Sequence, residues 1–212
     1  MYDVIVPIGF NCNITFLLGH NNLKKESSLF EWFETKSFSD IVDVLEKISN
    51  STDDIQNIPI NIIPNIKNHG VIIEKDSIFS AHYNVNYYRD VFNRRCKRLF
   101  NDMKTAKRIL FIRVKKANNL DNNDVIRLKN LIHKINPNIE KLNLLLIADH
   151  NYPIDPKIND EIVIKKYISI NMDTNTFKMY DENIKSIEEF SNIMQEFGYP
   201  KNISKYEKNP KV

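Results

Sequence analysis

Leu142-Asn143-Leu144-Leu145-Leu146-Ile147-Ala148 is the most apolar strand-forming stretch of the chain, and it decides the fold class. A strand this apolar is covered by side chains on both faces, as is typical of a parallel sheet between helices. Residues 4–8 and 109–114 are shorter apolar runs that indicate further strands of the same kind. Apolar side chains at helical spacing occur between them, most clearly over residues 87–103. The sequence therefore predicts an α/β fold, a layered domain with a mainly parallel sheet flanked by helices.

The remaining predicted elements continue this alternation. Helices are expected near residues 12–18, 39–48, 124–135 and 184–197, and further strands at 71–73, 78–79 and 161–170. We find neither an internal repeat nor a linker between two domains, so residues 1–200 are predicted to form a single α/β domain. The lysine-rich tail, residues 201–212, is expected to be frayed.

Composition excludes several classes of function. The 212 residues include only four glycines, which cannot assemble a Walker phosphate loop or a G-x-G-x-x-G dinucleotide turn. Two cysteines exclude a disulfide scaffold and a cysteine-rich zinc site, and paired histidines at metalloprotease spacing are absent. We therefore expect no metal and no cofactor. A net charge of +3, from 30 basic and 27 acidic residues, argues against a nucleic-acid partner.

The sequence also bears on cellular location. Its longest apolar run is far shorter than the roughly 20 residues that a membrane helix needs. The first residues show neither the basic region nor the cleavage site of a signal peptide. We expect a cytoplasmic protein with no membrane partner, located in the host cytoplasm if it is viral, with reduced cysteines. The oligomeric state is not predicted.

The stretch Ile8-Gly9-Phe10-Asn11-Cys12 places a cysteine in the turn between a buried strand and a helix. Asn11 is a candidate N-cap of that helix. Free amide groups and the positive end of the helix dipole favour a thiolate there, and the same amides could stabilise an oxyanion. Cys12 is therefore a candidate nucleophile, the alternative being a small buried residue. Cys96, on the apolar face of the helix over residues 87–103, is predicted to be buried and inert.

Two histidines are candidate bases for Cys12. His82 follows a predicted short strand, and His150 follows Asp149 at the end of the 142–148 strand. Asp149 and His150, like Cys12, follow a strand of the predicted parallel sheet. Because the carboxyl ends of parallel strands meet at one edge, where ligands bind, we expect these residues to lie at the same edge as Cys12. Spacing alone does not choose between the two histidines.

Arg95 lies inside the apolar stripe of the 87–103 helix. A guanidinium directed toward a core requires a carboxylate, a set of carbonyls or a bound anion. We therefore weigh a contact with an anionic substrate against two structural alternatives. One is an ion pair with Glu31, and the other is an arginine stem that packs while its head reaches water.

Five short motifs follow one another along residues 3–150. They are Gly9-x-Asn11-Cys12, Phe30-Glu31-Trp32, Phe79-x-x-His82, Arg94-Arg95-x-x-Arg98 and Arg108-Ile109-Leu110-Phe111-Ile112-Arg113. In this order they resemble an uncharacterised family, from bacteria and large DNA viruses, described as papain-like cysteine peptidases. The resemblance implies Cys12 as nucleophile, His82 as general base and an acidic or amide residue that orients the imidazole. It also implies an α+β papain-like fold as the alternative architecture.

Two positions depart from the usual pattern of this family. Glu31 stands where the family usually has aspartate, and Tyr83 stands where an acidic residue commonly follows the histidine. Asp149 is then our candidate for the orienting residue. The set of substrate-binding or supporting residues is Asn11, Glu31, Trp32, Arg95 and His150.

These residues predict a cysteine-dependent hydrolase acting on a peptide, acyl or small anionic substrate. A second hypothesis is a non-catalytic binding protein, viral or not, that captures an anionic ligand or a partner protein through groups such as Arg95. A third is a sugar- or nucleotide-processing enzyme in which Cys12 is structural, which the α/β layering allows.

Overall fold

The computed structural model describes residues 1–8, 13–51, 60–65, 70–74, 78–80, 83, 85–115, 120–151, 153–169 and 180–204. The elements within this part of the chain follow in sequence order: β1 (Val4–Pro7), α1 (Asn13–His20), β2 (Glu34–Thr35), α2 (Phe38–Asn50), β3 (Ile62–Asn65), β4 (Gly70–Ile73), β5 (Ile78–Ser80), α3 (Val85–Thr105), β6 (Arg108–Lys115), α4 (Asn122–Ile135), β7 (Lys141–Ala148), β8 (Val163–Tyr167) and α5 (Tyr180–Glu196).

Four strands form the parallel sheet that the apolar runs predict. Their order is β1-β6-β7-β8, and each neighbouring pair is parallel. Val6 pairs with Phe111, which in turn pairs with Leu144, so the long apolar strand lies inside the sheet. The predicted α/β class is confirmed.

A second sheet is antiparallel, with the order β2-β5-β4-β3. The sequence predicts its two inner strands, β4 and β5, but not the outer ones. β2 has only two residues, too few for a periodic pattern. β3 contains Pro64, which favours an irregular segment in sequence but is tolerated at the edge of a sheet, where a missing N–H donor breaks no pairing.

The parallel sheet is covered on both faces, as the continuous apolar strands predict. Alternating side chains of β6 enter different clusters of buried residues. Ile109 and Phe111 face the cluster that includes residues of α2, α3 and α4. Leu110 and Ile112 face the cluster that includes residues of α1 and α5. Among the described helices, none combines the length and apolar character that a membrane crossing needs.

Local capping explains where two of the helices begin. Ser37 precedes α2, and its hydroxyl accepts a hydrogen bond from the Asp40 N–H. Asp121 caps α4 in the same way, accepting from the Asp124 N–H. Serine and aspartate suit this position, because their side chains satisfy amides that a helix leaves unpaired at its start.

The described start of the basic tail is hydrogen-bonded to the end of α1. The Ser204 N–H donates to the His20 carbonyl at 2.8 Å, and the Ser204 carbonyl lies 2.7 Å from His20 Nδ1. The Asn22 amide donates to the Asn202 carbonyl at 2.9 Å. Residues 205–212 of the predicted frayed tail lie outside the described residues.

His20 is expected to make the stability of the fold depend on pH. Its side chain is buried, and burial lowers its pKa below the ordinary value of about 6.5. The unfolded chain then binds a proton more readily than the folded chain between the two pKa values. Stability should therefore be greatest above pH 6.5 and should decrease as the pH falls below it.

Urea unfolding between pH 7.5 and 5.5 measures this dependence, with His20→Gln as the comparison. The variant should lose less stability over this range than the unmodified protein, because glutamine does not titrate. Parallel curves for the two proteins would exclude a contribution from His20. The matched control is His133→Gln, which replaces an exposed histidine of α4 and should leave the curve unchanged.

Candidate functional site

Cys12 belongs to the connection between β1 and α1. Residues 9–12, which include Asn11 and Cys12, lie outside the described residues, but both flanks are described. On one side the Ile8 N–H donates to the Ile112 carbonyl at 2.8 Å, which extends the pairing between β1 and β6. On the other side α1 begins at Asn13. The connection therefore starts at the carboxyl end of a parallel strand and leads into a helix N-terminus, as the sequence predicts.

A buried arginine of β6 ties this flank to the second sheet. Arg113 is 4% exposed, and its Nη1 donates to the Ile8 carbonyl at 2.9 Å and to Thr35 Oγ1 at 3.1 Å. Its Nη2 donates to the Thr35 carbonyl at 2.8 Å. Thr35 pairs with Ile78 of β5, the strand that precedes His82. One guanidinium thus links the strand that leads to Cys12 with the sheet that leads to His82.

The buried guanidinium of Arg113 lies next to hydrogen-bond acceptors and an aromatic ring. Its guanidinium carbon lies 5.5 Å from the centre of the Phe38 ring. Burial lowers the pKa of Arg113 to about 10, so the group stays protonated at neutral pH. A buried charge of this kind must be hydrogen-bonded to be tolerated. The three bonds to Ile8 and Thr35 fulfil that requirement.

His82 lies outside the described residues, but the neighbouring Tyr83 shows what surrounds its segment. The Tyr83 ring stacks on Phe33 with centroids 5.6 Å apart. Its hydroxyl donates to the Glu31 carbonyl at 3.3 Å and accepts from Arg95 Nη1 at 2.7 Å. Burial raises the pKa of Tyr83, so the hydroxyl stays protonated. Tyr83, which follows His82 in the sequence, therefore contacts residues of the two motifs that contain Glu31 and Arg95.

The Glu31 carboxylate is buried and has its own cation. Glu31 is 2% exposed, forms an ion pair with Lys24 and accepts a hydrogen bond from the Ser28 N–H at 3.0 Å. The ion pair weighed for Arg95 is therefore made by Lys24. Because Oε2 binds an amide of its own turn, the carboxylate faces the 24–28 segment, whereas Arg95 meets Tyr83.

Trp32 has an unusual backbone conformation. Its φ is +64°, in the left-handed region that a bulky residue rarely adopts. Such strain costs about 1–3 kcal/mol, persists only where the surroundings impose it, and is common at functional sites. Lys24 Nζ lies 6.0 Å from the centre of the Trp32 ring. Trp32 thus follows Glu31 directly in a strained turn next to the Tyr83 contact.

A cavity of about 550 Å³ is lined by residues from several of these motifs. Pro7 and Thr15, on either side of Cys12 in the sequence, both line it, as do Glu31, Arg95 and Arg98. Three buried polar atoms of its lining residues, Glu31 Oε1, Arg95 Nε and Thr15 Oγ1, have no hydrogen-bond partner among the described residues, and of these only Glu31 Oε1 lies in an ion pair, with Lys24. Buried polar atoms are nearly always paired, so the other two require an explanation.

Asp149 and His150 lie at the carboxyl end of β7, as predicted. Asp149 is buried, and its Oδ1 accepts from the Asn151 N–H at 2.8 Å. His150 is exposed and stacks on Tyr167 with ring centroids 5.8 Å apart. Because β6 separates β7 from β1, strand spacing places these residues roughly 10 Å across the sheet from the end of β1. That Asp149 orients the base stays a prediction.

Cys96 is fully buried, as predicted, on the inner face of α3. Burial raises the pKa of its thiol well above the ordinary value, which disfavours a reactive thiolate. It therefore serves as an internal control for Cys12.

Two residues of the site, Arg113 and Tyr83, appear in the sequence motifs or next to them, but their contacts were not predicted. Arg113 has a visible signal, since it is a charged residue inside an otherwise apolar strand. Tyr83 has none, because an aromatic residue before a helix is most often part of the core. Within the described ranges, no group of three or more histidine, cysteine, aspartate or glutamate side chains is placed to hold a metal ion.

No curated protein and no solved structure matches the chain. A family model matches residues 3–151, well over half of the chain, and this region contains all five motifs and the elements from β1 to β7. The chain therefore belongs to the family that this model describes, "Putative papain-like cysteine peptidase" (DUF1796).

Proposed function

We propose that the protein is a cysteine-dependent hydrolase in which Cys12 is the nucleophile and His82 is its general base. One observation carries the proposal, namely that the residues flanking Cys12 line one cavity and the neighbour of His82 is hydrogen-bonded to other residues that line it. Pro7 and Thr15, which bracket Cys12, line that cavity. Tyr83, the neighbour of His82, is hydrogen-bonded to two further residues that line it.

The proposed reaction is acyl transfer to a thiol. Cys12 passes its proton to His82, and the thiolate sulfur attacks the carbonyl carbon of the substrate. The imidazolium gives this proton to the leaving group as the carbonyl–leaving-group bond breaks, which leaves a thioester on Cys12. A water molecule, deprotonated by His82, then attacks the thioester, releases the acid and restores the thiol. Amides at the start of α1 are the proposed oxyanion donors.

The remaining site residues have supporting roles in this proposal. Arg113 is a positioning residue, because its hydrogen bonds hold Ile8 against Thr35. Asp149 is the proposed orienting carboxylate for His82. The buried Glu31, whose carbonyl accepts from Tyr83, and the adjacent strained Trp32 are proposed to support the site. The proposed substrates are peptides or other acyl compounds, and the proposed place of action is the cytoplasm.

Alkylation of Cys12 tests the proposal without a known substrate. The protein is treated with iodoacetamide at pH 6, and the modification of Cys12 and Cys96 is followed by mass spectrometry against glutathione. We expect Cys12 to react at least about 10-fold faster than glutathione, because an ordinary thiol has well under 1% thiolate at this pH. Cys96 should stay unmodified.

The variant Cys96→Ser is the matched control and should leave the Cys12 rate unchanged. Cys12 reacting no faster than glutathione would contradict the hydrolase proposal. That outcome would favour the hypothesis of a non-catalytic binding protein.

A further inference from the structure

The cavity runs along the outer edge of β1. All four residues of β1 line it, and β1 is the last strand of its sheet, so no described strand pairs with its outer side. At one end this edge is closed by Tyr199, whose hydroxyl donates to the Tyr2 carbonyl at 2.9 Å and accepts from the Tyr2 N–H at 3.0 Å. The four residues of β1 span about 13 Å, which is the length of an extended peptide of four residues. An extended peptide is the ligand that such an edge takes up.

Most charged residues that line this cavity have an opposite charge beside them. Lys24 pairs with Glu31, and Arg98 pairs with Glu26. Asp3 pairs with Arg108 at the start of β6. Asp102 also lines the cavity, but it lies two helical turns from Arg95 on α3, about 10 Å along the axis.

Arg95 differs from these residues, because it has no carboxylate partner within the described part of the chain. It is 2% exposed, and its Nη1 donates to the neutral Tyr83 hydroxyl at 2.7 Å. Its Nε has no acceptor among the described residues. A buried guanidinium with an unused donor requires a further acceptor, and a carboxylate binds it most strongly.

Thr15 supplies an independent second observation. It is 2% exposed, lines the same cavity from the first turn of α1, and its hydroxyl has no partner among the described residues. Carboxylate oxygens would accept from both Arg95 Nε and the Thr15 hydroxyl. Since Thr15 follows Cys12 by three residues, the ligand would occupy the part of the cavity that leads to the proposed nucleophile.

We propose that this cavity binds an extended peptide along β1 and that Arg95 recognises a carboxylate of that peptide. The carboxylate is either an acidic side chain or the C-terminal group, which share the same chemistry. The inference deepens the proposed hydrolase by naming its substrate class, and it rests on that function only in treating the bound peptide as a substrate.

Binding is tested with the full chain carrying Cys12→Ser, so that no bond is cleaved. The probes are acetyl-tetraalanine amides with one glutamate at each position in turn, the matching glutamine peptides, and acetyl-tetraalanine with a free C-terminus. Dissociation constants are measured by calorimetry. At one position we expect the acidic probe to bind at least about 10-fold more tightly than its neutral counterpart. A glutamate preference indicates side-chain recognition, and a free-acid preference indicates C-terminal recognition.

Three further substitutions locate the preference. In the Cys12→Ser background, Arg95→Gln should remove it, and Thr15→Val should reduce it. Arg94→Gln is the matched control, because Arg94 is the exposed neighbour on the same helix, and it should leave the preference unchanged. Circular dichroism checks that each variant is folded, and Arg95→Lys, which keeps the charge but lacks the Nε donor, replaces Arg95→Gln if that variant unfolds.

Equal binding of acidic and neutral probes, no binding of any probe, or a preference that survives loss of Arg95 would each overturn the inference. Its failure is distinguishable from failure of the proposed function. Fast alkylation of Cys12 without acidic-peptide binding leaves the hydrolase proposal standing and rejects this subsite. Acidic-peptide binding with an unreactive Cys12 would support this subsite and contradict the hydrolase proposal.

Discussion

Replacing Arg113 by glutamine is expected to lower the free energy of unfolding by about 1–3 kcal/mol for each buried carbonyl that loses its hydrogen bond. The guanidinium donates to Ile8 and twice to Thr35, and all three residues are buried. Glutamine is too short and has too few donors to reach all these acceptors. The carbonyls of Ile8 and Thr35 would then be buried without a hydrogen-bond donor, which destabilises the folded state.

Urea denaturation followed by circular dichroism measures this effect. Arg108→Gln is the matched control on the same strand, because Arg108 lies at the exposed beginning of β6 and pairs with Asp3 at the surface. Exposed ion pairs contribute little, so its midpoint should change far less. Similar midpoints for the two variants would show that Arg113 does not join the two sheets as described.

Replacing His82 by alanine is expected to lower the alkylation rate of Cys12 at pH 6 by on the order of 100-fold. Without the imidazolium, the pKa of the thiol returns toward its ordinary value of about 8.5. The rate should then fall about tenfold for each pH unit below that value. In the unmodified protein the rate should stay nearly constant as the pH falls toward 6, because the thiolate is already formed.

His150→Ala is the matched control, since His150 is the other histidine that spacing allows as the base. It is exposed and stacks on Tyr167, so its loss should leave the pH profile of Cys12 alkylation unchanged. A profile altered by His150→Ala and unaffected by His82→Ala would assign the base to the end of β7 instead. Rates are measured by mass spectrometry from pH 5 to pH 9.

The parallel sheet could be predicted because its information is local. Each strand that is buried on both faces is a continuous apolar run, and the helix of residues 87–103 shows its own periodicity. The outer strands of the second sheet carry no such information. Two residues at β2 and a proline in β3 become strands only through pairing with β4 and β5.

Residue types and motif order select candidate residues for the site, but they do not predict its contacts. Cys12, His82 and Arg95 stand out by position or by motif order. The bonds that join their segments, such as Arg113 to Ile8, connect residues far apart in the chain. The choice of Lys24 rather than Arg95 as the partner of Glu31 depends on how one turn folds. No sequence pattern indicates that Trp32 adopts a positive φ.

The closure of β1 by Tyr199 also has a consequence for self-association. An open edge strand is a template on which other molecules add strands, and long exposed edges lead to aggregation. Here the hydroxyl of Tyr199 occupies the backbone groups of Tyr2, and Pro7 lacks an N–H at the other end. What stays open is long enough for a short guest segment but too short to nucleate a growing intermolecular sheet. We therefore expect the edge at β1 to accept a short extended ligand without itself promoting self-association.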